Sequence, residues 1–189
     1  MADQGLRIGC FPGSFNPPTV AHLAVAEAAV RAAGLDRIDL VLSRVALGKE
    51  DVSEPTLDQR AAVLAEVAAT RPWLGVAITD ARLIVDIAEA YDAVVMGADK
   101  WRQVTDPAWY GDDPSALQAI AARDAAVARL PQVLVVPRAG DRPDEVAGVM
   151  AVLEIDEAHA HVSASEVRSG AAHAADWILP EARRGSDPV

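Results

Sequence analysis

Apolar runs of five or six residues recur along this chain, each separated from the next by a longer stretch with helical spacing or turn residues. Runs that short suit strands buried on both faces and are far too brief to span a bilayer. Strands are expected at 6–11, 38–43, 75–79, 92–96, 132–136 and 151–155. Helices are expected at 20–33, 57–70, 81–90, 114–129 and 166–173, with a short one near 142–149 and another near 174–184. Strand alternating with helix implies an α/β chain, a doubly wound parallel sheet with helices on both faces. At 189 residues and 51% hydrophobic content, one domain over 1–182 accounts for the pattern, and RRGSDPV, 183–189, reads as a flexible tail.

In such a sheet ligands bind beyond the C-terminal ends of the strands, where the strand order reverses. The polar residues of this chain gather at those ends. Gly9 to His22, GCFPGSFNPPTVAH, closes the first strand in a Pro- and Gly-rich turn and opens a helix near Thr19. Amides at a helix start suit an anion, and Gly13 offers no side chain to block close approach. Thr19 and His22, three apart, share one face of the first turn, although a helix cap and a packed histidine would use the same residues. Lys49 follows the second strand, Gly97-Ala98-Asp99 the fourth, and Arg138 the fifth. Asp99 is placed to accept from a ribose hydroxyl or to cap the next helix. Neither G-x-G-x-x-G nor a Walker A string is present, which removes support for a dinucleotide dehydrogenase or a P-loop protein.

A formal net charge of −11 argues against nucleic acid as a partner, so an anionic ligand needs a local basic pocket. The one cysteine, Cys10, lies in the first strand, which excludes an internal disulfide and suits a reducing compartment. With no membrane-length run and no leader pattern in MADQGLR, a cytoplasmic protein without a membrane partner is expected. His159 and His161 lack companion metal ligands, so no protein metal site is assigned.

The string GSFNPPTVAHL resembles the signature of the nucleotidyltransferase superfamily that carries an (H/T)-x-x-H motif. VSASEVR, Val162 to Arg168, is similar to its second signature. Ser163 and Ser165 there would equally suit a helix cap. MGADKWRQVTDPAWYGDD, Met96 to Asp113, and QVLVVPRAG, Gln132 to Gly140, look like segments of nicotinamide or nicotinate mononucleotide adenylyltransferases.

The resemblance implies a Rossmann-like fold and transfer of AMP from ATP to a pyridine mononucleotide, with magnesium carried mainly by the ATP phosphates. It implies that His22, Thr19, Lys49 and Arg168 serve the reaction. Gly13, Ser14, Phe15, Gly97, Asp99, Ser163 and Ser165 would then bind ATP, and Trp109 and Arg138 the acceptor. Arg60 resembles an arginine of the family but suits an exposed helix face equally, so it is left off the site. Where bacterial nicotinate enzymes carry Ser-Tyr-Thr before the fourth strand, this chain has ARLIVDIAEAYDA. That segment and PTLDQRAAVLAEV are similar to phosphopantetheine adenylyltransferases, which stand as the alternative. A CTP-using relative and a non-catalytic nucleotide-binding regulator are the further readings. Acid or amide acceptor stays open, and a homo-oligomer is a mild expectation.

Overall fold

The computed structural model describes residues 5–45, 55–137, 143 and 150–184. Six strands, β1 (Ile8–Pro12), β2 (Arg37–Ser43), β3 (Leu74–Thr79), β4 (Ala93–Gly97), β5 (Gln132–Val136) and β6 (Met150–Val152), form one sheet in the order β3-β2-β1-β4-β5-β6. Every neighbouring pair is parallel. The chain winds outward from β1 to β3, then returns to β4 and winds the other way. The reversal therefore lies between β1 and β4.

The apolar runs serve two cores through the two-residue period of a strand. Ile38, Leu40 and Leu42, with Ala93, Val95, Leu134 and Val136, pack against α1 (Val20–Ala33) and α2 (Leu57–Ala69). Val41, Val94, Met96, Val133 and Val135 face α3 (Ile84–Ala88), α4 (Ala98–Thr105) and α5 (Leu117–Val127). Cys10 is fully buried in this second core, where burial first and the Asp39 carboxylate second push its thiol pKa up. It stays a neutral packing group.

Helix bounds follow local chemistry. α1 matches its expected span because Thr19 caps one end and Gly34, at φ 59°, supplies the left-handed residue that closes the other. α3 is shorter than 81–90, since the Ser43 hydroxyl donates to the Ala81 carbonyl and Ala81 N–H to Thr79 Oγ1, tying those residues into a turn. α5 starts at Leu117 and not at 114, because Asp113 accepts from the Ser115 amide and hydroxyl and holds a turn first. α4 lies outside the expected helix spans, although capping by Asp99 implied a helix after it, and the 3₁₀ turn Pro107–Trp109 behind it was not expected.

Toward the C-terminus, β6 stops at Val152 and Asp156 caps α6 (Glu157–Ala160), another unexpected helix. α7 covers Ala164–Arg168 instead of 166–173, ended by Gly170 at φ 77°. The helix expected at 174–184 is divided into a 3₁₀ segment, Ala172–Trp177, and α8 (Pro180–Arg184), with Pro180 at the break. α8 thus reaches two residues into the stretch expected to be flexible. The short helix expected near 142–149 lies almost wholly outside the described residues. Among the described residues no helix is long and apolar enough to cross a membrane.

Candidate active site

The turn after β1 is held from four directions. Gly13 N–H donates to the Val41 carbonyl at 3.0 Å, Arg60 Nη1 to the Ser14 carbonyl at 3.0 Å, Arg168 to the Asn16 carbonyl, and Leu179 N–H to the Pro18 carbonyl at 3.1 Å. Thr19 also bridges Ile178. Segments from opposite ends of the chain therefore fix one loop. Within it the Asn16–Pro17 peptide is cis, and Phe15 holds φ 46°. That left-handed backbone costs about 1 kcal/mol, less than the roughly 1.5–3 kcal/mol gained by burying a phenylalanine ring. Phe15 is 2% exposed and packs edge-on against His22, with centroids 5.1 Å apart.

Gly13 is small for a reason the sequence did not give. A Cβ there would lie 2.8 Å from the Phe15 ring, and its own N–H is spent on Val41. The residue admits the aromatic plug; its amide is not offered to an anion. Gly13→Ala is expected to cost about 1–3 kcal/mol through overpacking, read as a lowered denaturation midpoint. An unchanged midpoint would contradict the contact.

Thr19 and His22 are joined to each other. His22 Nδ1 accepts from Thr19 N–H at 2.9 Å and lies 2.8 Å from Thr19 Oγ1, while Thr19 is only 1% exposed. The capping arrangement is present, and the bond that caps α1 also fixes the imidazole. With Nδ1 as acceptor, the ring hydrogen sits on Nε2, a donor for a developing negative charge. The Thr19 hydroxyl is buried against this ring, so the face expected to carry both side chains presents the imidazole.

Arg168, 152 residues beyond Asn16, brings the second motif onto the first and also donates to Ser165 Oγ at 3.0 Å. Ser163 is the N-cap residue of α7 but makes no side-chain capping bond. Gly97 ends β4 as the N-cap residue of α4, and Asp99 is exposed in the first turn of that helix, so Asp99 is not the cap. Because β4 lies parallel beside β1, Gly97 and Asp99 follow the same C-terminal end of the sheet as the Thr19–His22 turn. Lys49 and Arg138 lie outside the described residues.

Beside the turn is a cleft lined by Gly13, Ser14, Val41 and Ser43 at the C-terminal ends of β1 and β2 and by Trp109 and Tyr110. Asp106 accepts from the Ala108 amide and Tyr110 donates to the Val104 carbonyl, which braces the short turn that carries Trp109. Trp109 remains 38% exposed, unlike Trp101, which is buried in the second core. Arg60, Arg82 and Lys100 also line this cleft. The sequence reading passed over Arg82 and Lys100 and set Arg60 aside. Partial burial lowers the Arg60 pKa, yet a guanidinium stays charged at neutral pH. Among the described residues, no three of His, Cys, Asp or Glu converge as a metal site.

A family model described as cytidylyltransferase-like matches residues 10–170. A Parvibaculum lavamentivorans protein named "Probable nicotinate-nucleotide adenylyltransferase" is 39% identical over 79 residues, 42% of this chain and 39% of that relative. One of the same name from Mesorhizobium japonicum is 51% identical over 37 residues, 20% of this chain and 19% of the relative. The match thus spans well under half the length of either. Among solved structures, Plasmodium falciparum nicotinic acid mononucleotide adenylyltransferase complexed with APC superposes with a TM-score of 0.65 at 13% identity, covering 95% of this chain and 94% of that one. The same enzyme complexed with NaAD gives 0.61 at 12% identity, with the same coverage. At that identity the likeness carries the fold.

Proposed function

The chain belongs to the cytidylyltransferase-like family, and from that premise we propose that it is an adenylyltransferase that moves AMP from ATP to nicotinate or nicotinamide mononucleotide. The observation that carries this reading is the bond from Arg168 to the Asn16 carbonyl, which sets a hydroxyl- and arginine-bearing motif against the turn holding the Thr19–His22 pair. The names of the relatives support the acceptor, and so does an exposed tryptophan on a basic cleft beside that turn.

A phosphate oxygen of the mononucleotide forms a bond to the α-phosphorus of ATP as the bond to the β-phosphate bridging oxygen breaks. Pyrophosphate leaves, and no enzyme group is covalently modified. The protein's task is then to position the partners and stabilise charge. His22 Nε2–H donates to the reacting phosphate, and Thr19 holds the ring. Ser163, Ser165 and Arg168 grip the outer phosphates, with Lys49 assigned to them by resemblance. Gly13, Ser14 and Phe15 shape the turn against the nucleotide, Gly97 and Asp99 take the adenosine ribose, and Trp109 and Arg138 take the acceptor.

Magnesium, held by ATP and not by a protein cage, would supply charge neutralisation at the phosphates. The hydroxyls of Ser163 and Ser165 and the Arg168 guanidinium suit phosphate oxygens and would leave such an ion to ATP and water.

Incubation with ATP and a pyridine mononucleotide is expected to give the dinucleotide by mass, and CTP is not. Product from CTP alone would move the protein to a cytidylyl branch. Trp109→Ala is expected to raise the KM for the mononucleotide about tenfold and that for ATP by less than about twofold, since one stacked ring is lost from one substrate. Equal rises would contradict stacking.

A further inference from the structure

In a chain of net charge −11, the Trp109 cleft is lined by Arg60, Arg82 and Lys100 and by no aspartate or glutamate among its described lining residues. Its remaining wall is largely apolar, with Leu83, Ile84 and Val104 beside the two aromatics. A flat ring bearing an anion fits that combination better than a neutral ring. The three cations are not equivalent. Arg60 donates to the Ser14 carbonyl, and Lys100 Nζ donates to Gln103 Oε1 at 2.7 Å. The Arg82 side chain makes no hydrogen bond or ion pair among the described residues. Its backbone is nevertheless fixed, because the preceding Ala81 is tied to Ser43 and Thr79.

We propose that Arg82 is the residue that selects the acid form of the acceptor, pairing with the ring carboxylate of nicotinate mononucleotide. This rests on the adenylyltransferase reading above and deepens it. The uncharged amide of nicotinamide mononucleotide fills the same space but leaves the guanidinium unmatched, so preference arises from one charge-assisted contact. Because Arg82 is exposed, solvent weakens that contact, and the expected discrimination is about tenfold, the low end for a charged hydrogen bond.

The test compares kcat/KM for the two mononucleotides in the wild type, Arg82→Gln and Arg82→Lys, with direct binding of each mononucleotide measured calorimetrically. The wild type is expected to favour the acid by about tenfold or more. Arg82→Gln brings the ratio near one, chiefly through KM for the acid, Arg82→Lys falls between, and the thermal midpoint does not move. An acid-to-amide ratio unchanged in Arg82→Gln, or a wild type that prefers the amide, overturns the assignment. If the wild type turns over neither compound, the adenylyltransferase reading fails and this one with it, an outcome distinct from an unchanged ratio.

Discussion

Replacing His22 with alanine is expected to lower kcat by about a hundredfold or more, the scale of losing one donor to transition-state charge. The expectation rests on atoms in place before any substrate arrives. Nδ1 is held by Thr19 N–H and faces Thr19 Oγ1, and the ring packs on Phe15, so Nε2–H is presented in a fixed direction. A preorganised donor spends little on reorientation during the reaction. The same substitution removes the side-chain half of the α1 cap, which costs about 1 kcal/mol against a domain stability of roughly 5–15 kcal/mol. Circular dichroism should therefore show a folded protein. A folded His22→Ala protein with near wild-type turnover would remove His22 from the chemistry and leave it only as a cap.

Arg168→Ala is expected to reduce kcat/KM for ATP by a similar factor, about a hundredfold, because two losses coincide. In the proposed reaction the outer phosphates lose the guanidinium's charge, and the loop loses its link at Asn16 to the C-terminal motif. Arg168→Lys should recover only part of the loss. One ammonium cannot reproduce a fork in which Nη1 serves Asn16 and Nη2 serves Ser165. Values within about threefold of wild type for the alanine variant would mean that the two motifs touch without acting together.

How much of this was legible in the sequence depended on how local each cause was. Strands buried on both faces announce themselves as apolar runs, so β5 falls where expected and β2 and β3 within one residue. α1 carries its own punctuation in Thr19 and Gly34. α4 carries a signal in Ala98, Trp101 and Val104, buried at three-residue spacing, but its eight residues closed by Asp106-Pro107 are too short for periodicity alone to give the span.

The site was legible where motif order sufficed and obscure where distant contacts decide. Arg60 shows nothing in its own helix that separates a solvated arginine from one reaching Ser14, 46 residues away. Gly13 has a second reason to be small that only the folded turn reveals, the Phe15 ring beside it. Arg82 lies in the stretch where the chain departs from the nicotinate enzymes it otherwise resembles. A departure names no substitute until the cleft is built.

The central claim is tested most directly by pyrophosphate release with ATP and magnesium, offering nicotinate mononucleotide, nicotinamide mononucleotide and phosphopantetheine side by side. The account predicts release with a pyridine mononucleotide, the acid above the amide. Release with phosphopantetheine alone, or with none of the three, would contradict it.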